Sequence, residues 1–171
     1  EALMEHGAKY DICPYGTETM HVLRAEKGFI IAGQDTDGTC TPMDVGMDWI
    51  VSKKKKDFLG RRSFTRSDTA MEGRKQLVGL LADDPRFVLP EGAHIVEELK
   101  PQPPMQAIGH VTSSYMSPNV VGPDSKGRSI ALALVRDGRN RMGETLHVPM
   151  MDGKVMRVTV TDTVFFDKEG E

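Results

Sequence analysis

The sequence has few cysteines and no glycine-rich nucleotide-binding motif. Its 171 residues include two cysteines, Cys13 and Cys40, which are too few for a disulfide framework. A reducing, cytoplasmic location is therefore the expectation. Neither the G-x-G-x-x-G fingerprint nor the G-x-x-x-x-G-K-[ST] phosphate loop occurs, so we expect no dinucleotide or nucleotide phosphate site on this chain.

Long hydrophobic runs and a strong charge imbalance are also missing. No apolar stretch approaches the roughly 20 residues of a transmembrane helix, and no signal peptide is recognisable. The formal net charge of −3 gives no reason to expect nucleic acid or an anionic membrane as a partner. What is present, 39% hydrophobic and 27% charged residues, is typical of a globular protein. Because the chain begins at Glu1, within what reads as the tail of a helix, we expect it to be a piece of something longer.

The first third of the sequence predicts short helices and strands. A helix is expected at 17–26, with Thr17 as its cap and Gly28 as its stop. The other elements predicted here are helices at 2–7, from Thr41-Pro42 and at 59–71, and strands at 29–32 and 47–52.

The sequence pattern changes near residues 72 to 75, where short β-type runs replace helical patterns. Asp152-Gly153 lies between two such runs and predicts a hairpin. Six strands and almost no helix favour a small barrel or sandwich, giving an α+β chain with units at 1–73 and 74–171. The predicted strands are 77–81, 95–99, 107–113, 130–135, 146–148 and 155–166, and the turns between them include 101–104.

Most candidate sites favour a structural interpretation. The five histidines show no pair at ligand spacing, so no metal site is expected. The DTDG stretch at 35–38 begins like a calcium loop but lacks the later ligands, so a polar loop is preferred. Cys13 has no neighbour that would activate its thiol as a nucleophile, and a buried thiol is expected. Ser113-Ser114-Tyr115 lacks a G-x-S-x-G frame, so we interpret it as polar residues at a strand end.

Glu26, in the stretch LRAEKG at 23–28, leaves two interpretations open. A buried carboxylate there could hold two parallel N–H donors of a ligand such as a pterin, because charge-assisted bidentate pairs are strong. Alternatively, Glu26 is solvated and pairs with Arg24, Lys27 or Lys53. The basic run 53–56 is either a solvated turn or a landing site for a polyanionic tail, and each exposed pair contributes only about 0 to 1 kcal/mol.

An ordered series of motifs resembles the aminomethyltransferase (glycine-cleavage T-protein) superfamily over nearly the whole chain. The motifs are L-R-x-E-x-G at 23–28, T-P-x-x-x-G-x-x-W at 41–49, D-F-L-G-R at 57–61 and G-x-V-T-S-x-x-x-S-P at 109–118. The resemblance implies the C-terminal part of a folate-binding domain, followed by a small six-stranded antiparallel β-barrel. The residues of the first motifs are most similar to those of the α-subunit branch of heterotetrameric sarcosine oxidases.

The resemblance also implies a tetrahydrofolate site. Glu26 would hold the pterin edge, Lys55 or Lys54 would lie near the folate tail, and Tyr15 could line the site. Ile31-Ala32-Gly33 departs from the family's L-Y-G, so a ring contact there comes from elsewhere or is missing. The family's catalytic aspartate lies in an N-terminal portion that this chain lacks, so no catalytic residue is expected and the piece alone should be inactive.

In the whole enzyme, the resemblance implies oxidation of sarcosine to glycine, with the one-carbon unit passed to tetrahydrofolate. FAD, FMN and NAD would bind elsewhere in the complex. The expected partners are the N-terminal remainder of the α subunit and the β, γ and δ subunits. The alternatives are part of a glycine-cleavage aminomethyltransferase, a dimethylglycine oxidase or dehydrogenase, or a subunit-docking module that does not bind folate.

Overall fold

The structure, a computed structural model, describes residues 1–100 and 104–170. Its N-terminal part carries two α-helices, α1 (Ala2–Gly7) and α2 (Thr17–Glu26), which confirm the helices predicted at 2–7 and 17–26. Short 3₁₀ helices lie at Ala8–Tyr10, Asp48–Ile50 and Arg61–Thr65. None of the helices in these ranges is both long and apolar enough to cross a membrane.

The rest of the chain forms a closed barrel, which decides between the barrel and sandwich alternatives. The strands are β1 (Lys75–Ala82), β2 (His94–Val96), β3 (Ala107–Val121), β4 (Gly127–Arg136), β5 (Thr145–Pro149) and β6 (Val155–Thr161). Going round the barrel, the strand order is β1-β4-β3-β2-β5-β6, and β6 pairs with β1 to close it. Every pairing is antiparallel, so the predicted six-stranded antiparallel barrel is confirmed.

β4 is apolar on both faces because both of its faces are covered. Ala131, Ala133 and Val135 point into the barrel core, while Leu132 and Leu134 face outward. The outward leucines form a second apolar cluster with Leu77 of β1, and residues of the N-terminal part pack against it. Removing this surface from water stabilises the contact by roughly 25 cal/mol per Å². The outside of the barrel is thus the platform for the N-terminal part.

The hairpin predicted at Asp152-Gly153 joins β5 to β6 and is confirmed. Pro149 pairs with Val155 at the end of the ladder, and Gly153 has φ +82°, which an L side chain rarely adopts. The turn predicted at 101–104 falls, for residues 101–103, outside the described part of the chain.

The two strands predicted in the N-terminal part are wrong. Residues 29–32 form no strand and contribute only one isolated bridge, between Ala32 and Thr36. Ile30 packs on the outer barrel cluster without a strand partner, whereas Phe29 is 68% exposed. The segment 47–52 instead contains the 3₁₀ helix Asp48–Ile50.

The two further helices predicted in this part are also wrong. From Thr41 the chain makes turns, since the Thr41 N–H and hydroxyl both donate to the Asp44 carboxylate at 2.8 and 2.9 Å and Gly46 has φ +75°. In 59–71 only Arg61–Thr65 is helical, as a 3₁₀ turn. There the Ser63 hydroxyl donates to the Gly60 carbonyl at 2.5 Å, the kind of local side-chain bond that competes with a regular helix.

The end of α2 is set by backbone geometry. The Gly28 N–H donates to the Ala25 carbonyl at 3.0 Å and the Phe29 N–H to the Arg24 carbonyl at 2.9 Å, which is the Schellman pattern. Gly28 has φ +71°, so its predicted role as the stop is confirmed. The predicted cap is wrong, because Gly16 occupies the N-cap and no side chain caps this end.

Candidate functional site

Glu26 is the last residue of α2 and lies between that helix and the barrel. It is only 2% exposed, so the solvated alternative is wrong. Its Oε1 accepts a hydrogen bond of 2.5 Å from the Ser117 hydroxyl and one of 3.2 Å from the Asn119 amide, which also donates to Oε2 at 3.0 Å. Both carboxylate oxygens are therefore engaged by β3.

The main chain of Glu26 is held by the segment that follows β6. Its carbonyl accepts hydrogen bonds of 2.9 and 3.1 Å from the N–H groups of Phe165 and Phe166, just after β6. Lys27, the next residue, forms an ion pair of 2.6 Å with Asp167. At Gly28 a Cβ atom would stand 2.7 Å from the Thr163 carbonyl oxygen, so only glycine allows the chain this close.

Arg24, one of the ion-pair partners considered for Glu26, pairs instead with a second buried carboxylate, that of Asp35. Its Nη1 donates to Asp35 Oδ2 at 2.6 Å, and the Asp35 side chain is fully buried. Asp35 also accepts hydrogen bonds of 2.6 Å from both the Thr112 and the Ser113 hydroxyls and one of 2.9 Å from the Ile31 N–H. The loop at 35–38 thus supplies a carboxylate to the barrel.

The hydroxyl and amide groups that receive these carboxylates form the β3 polar row, which we define as Thr112, Ser113, Ser117 and Asn119. Ser113 and Ser114 lie in the middle of β3 and are buried, so their placement at a strand end is wrong. The spacing of the G-x-V-T-S-x-x-x-S-P motif could have signalled this role, since its hydroxyls at 112, 113 and 117 are those that bind Asp35 and Glu26.

The other predicted site residues lie in a different environment from Glu26. Tyr15 is 69% exposed, and Lys54 and Lys55 are also exposed. The structure therefore does not enclose the four residues together. A cleft of about 400 Å³ lies next to the helix end, lined by Lys27, Phe29 and Trp49 among others, but Glu26 does not line it.

A third polar contact ties the start of β1 to the turn after residue 40. Arg74 donates to both oxygens of the Asp44 carboxylate at 2.6 to 3.1 Å. Burial acts to raise the pKa of Asp44, but hydrogen bonds from Arg74 and Thr41 outweigh it, and the pKa lies below its usual value of 3.8. Two clefts of about 500 Å³ flank Arg74, whose donors are already used within the protein.

The two cysteines lie in different environments. Cys13 is exposed, contrary to the buried thiol that we predicted. Burial raises the pKa of the Cys40 thiol, which lowers its thiolate fraction at neutral pH. Within residues 1–100 and 104–170 no group of three or more His, Cys, Asp or Glu side chains could hold a metal ion.

The chain matches two family models. Residues 1–55 match the GCVT N-terminal domain, and residues 75–167 match the glycine cleavage T-protein C-terminal barrel domain. Among solved structures, it is similar to the crystal structure of glycine cleavage system aminomethyltransferase T from Bartonella henselae, with a TM-score of 0.77 and 24% identity. The match covers 98% of this chain and 44% of that protein, and it shows the fold.

Relatives of known name include two kinds of protein. The α subunit of sarcosine oxidase from Corynebacterium sp. (strain P-1) is 53% identical over 96% of this chain, and that from Rhizobium meliloti (strain 1021) is 39% identical over all of it. An aminomethyltransferase from Thermotoga petrophila is 30% identical over 97% of the chain. The chain spans only 16 to 17% of the α subunits and 41% of the aminomethyltransferase.

The motif order, the six-stranded barrel and these matches agree, and the resemblance predicted from the sequence is confirmed. The chain belongs to the glycine cleavage T-protein family.

Proposed function

We infer that this chain is the C-terminal part of a sarcosine oxidase α subunit and that it belongs to the tetrahydrofolate-binding portion of that subunit. The observation that carries the inference is the 53% identity over 96% of the chain with such a subunit, against 30% with an aminomethyltransferase. In the full-length complex, sarcosine would be oxidised to glycine and its one-carbon unit passed on. Tetrahydrofolate, when bound, supplies the acceptor for that unit. The isolated chain is expected to be inactive.

The residues of this chain do not fit a pterin at Glu26 as the structure stands. A carboxylate that binds two ligand N–H groups needs both oxygens accessible. Here they are buried and already accept hydrogen bonds from Ser117 and Asn119. The pterin role of Glu26 stays a prediction, and no step of the reaction is assigned to this residue.

Lys54, Lys55 and Tyr15 are exposed, unlike Glu26, and can therefore contact a ligand. Lys54 and Lys55 lie in a basic run on the surface, which suits the anionic tail of a folate. Their share of the affinity is small, because exposed ion pairs contribute about 0 to 1 kcal/mol each. Tyr15 offers an aromatic ring on the same N-terminal part. FAD, FMN and NAD, and the β, γ and δ subunits, belong to the proposal for the whole complex.

The test uses the purified full-length complex with sarcosine, in the presence and absence of tetrahydrofolate. We expect formaldehyde without the folate and 5,10-methylenetetrahydrofolate with it. A Lys54→Ala/Lys55→Ala variant should bind the folate a few-fold more weakly, whereas Lys154→Ala, an exposed lysine on the barrel hairpin, should not. The proposal fails if sarcosine is not oxidised, or if tetrahydrofolate neither binds nor changes the product.

The aminomethyltransferase relatives support a second candidate, transfer of an aminomethyl group in a protein without flavin. The same experiment separates the two, since an aminomethyltransferase would not oxidise sarcosine.

A further inference from the structure

We propose that Glu26 is a positioning residue that fixes the end of α2 on the barrel, and that any folate is bound by other side chains. The part of this proposal that concerns folate binding rests on the function proposed above, whereas the structural role of Glu26 does not. The carboxylate would act through the β3 polar row, which holds the N-terminal part in a fixed position against the barrel.

The hydrogen-bond directions around Ser117 support this role. The Ser117 hydroxyl oxygen accepts hydrogen bonds from the backbone N–H groups of Asn119 at 3.2 Å and of Val120 at 2.9 Å. With its lone pairs used in this way, the hydroxyl has its proton left to donate, and that proton goes to Glu26. The β3 ladder shifts register between Ser117 and Val121, and within this irregularity the two N–H groups bond the Ser117 hydroxyl.

The position of Glu26 gives a second argument. Its side chain is bound by β3 and its main-chain carbonyl by the segment that follows β6, so one residue contacts two distant parts of the barrel chain. A ligand that replaced Ser117 and Asn119 at the carboxylate would have to break the first of these links. Polar groups that are buried and fully satisfied in this way specify a unique arrangement.

Asp35 repeats the arrangement at the other end of the β3 polar row. It binds Thr112 and Ser113 there, as Glu26 binds Ser117 and Asn119. Two carboxylates of the N-terminal part thus bind one strand of the barrel, β3. Because the two contacts lie apart, they resist rotation of the N-terminal part on the barrel as well as its separation from the barrel. If Glu26 served only to bind a ligand, the second set of contacts, between Asp35 and β3, would not be needed.

The Glu26→Gln variant separates the two roles. Glutamine keeps the shape, accepts from Ser117 through Oε1 and can donate through Nε2 to Asn119 after a flip of the Asn119 amide. It cannot accept two parallel N–H groups from a pterin. In the full-length complex we therefore expect calorimetric tetrahydrofolate affinity to change by no more than about twofold, whereas a lost ligand contact would weaken it about tenfold or more. The matched control is Glu18→Gln, on the exposed first turn of the same helix.

Ser117→Ala supplies the second readout. It leaves the Glu26 side chain intact but removes the donor on the barrel, so we expect faster hydrogen exchange in α2 and at 163–166 than in wild type. Glu26→Gln should leave this exchange near wild type. The proposal is overturned if Glu26→Gln loses tenfold in folate affinity with unchanged exchange, or if Ser117→Ala leaves exchange in α2 unchanged. If wild-type protein binds no folate, the proposed function fails, and the exchange measurements still decide the role of Glu26.

Discussion

Replacing Asp35 by alanine tests how strongly the β3 polar row holds the N-terminal part on the barrel. The carboxylate is fully buried and accepts hydrogen bonds from Arg24, Ile31, Thr112 and Ser113. Its loss leaves the Arg24 guanidinium, only 10% exposed, without its anionic partner. Breaking a buried ion pair from one side costs about 3 to 5 kcal/mol. That is a large share of the roughly 5 to 15 kcal/mol by which domains are stable.

The assay is urea unfolding followed by far-ultraviolet circular dichroism. With an m value of about 2 kcal/mol per molar, the expected loss lowers the urea midpoint of Asp35→Ala by roughly 2 M. A double variant, Asp35→Leu with Arg24→Met, should lose less than Asp35→Ala, because removing both charges leaves neither one buried alone.

Asp37→Ala is the matched control, since Asp37 lies two residues along the same loop and is exposed. Its carboxylate accepts only local hydrogen bonds, from the Thr39 N–H and hydroxyl. We expect a cost of about 1 kcal/mol or less. Equal urea midpoints for the Asp35 and Asp37 variants would refute the reasoning, because burial and the contacts with β3 would then contribute nothing measurable.

Two further predictions concern acid stability and a glycine. The pKa of Asp44 is lowered in the folded state, so its contribution to stability is present above the ordinary value of 3.8 and is lost as pH falls through the lowered pKa. Melting curves between about pH 6 and 2 should show this loss in wild type and less of it in Asp44→Asn. Melting temperatures that fall in parallel with pH in the two proteins would contradict the prediction. Gly28→Ala should destabilise the protein by more than Gly33→Ala, because both have positive φ but only at Gly28 would the added Cβ meet a backbone carbonyl, at 2.7 Å. Urea midpoints compare the pair, and an equal loss in both would show that the close approach at Gly28 costs nothing.

The barrel strands were predictable because each carries its own local signal. Apolar runs of strand length alternate with turn residues, and Asp152-Gly153 specifies the β5–β6 hairpin. The helix at 17–26 was predictable for the same reason, from its periodicity and from Gly28. The N-terminal part was harder, since Ile30 of the apolar run 29–32 packs on the outside of the barrel while Phe29 is exposed, and no local pattern distinguishes such a run from a strand.

Some features of the candidate site were likewise predictable from the sequence, and others depend on the tertiary fold. The sequence by itself singled out Glu26 and placed it at the end of a helix, because helix length and the glycine stop are local properties. Only the tertiary structure decided what the carboxylate meets, since Ser117 and Asn119 lie more than 90 residues later and their spacing encodes no distance to the helix. Hydrogen bonds to a buried charge depend on which surfaces the packing brings together, and that information resides in the fold.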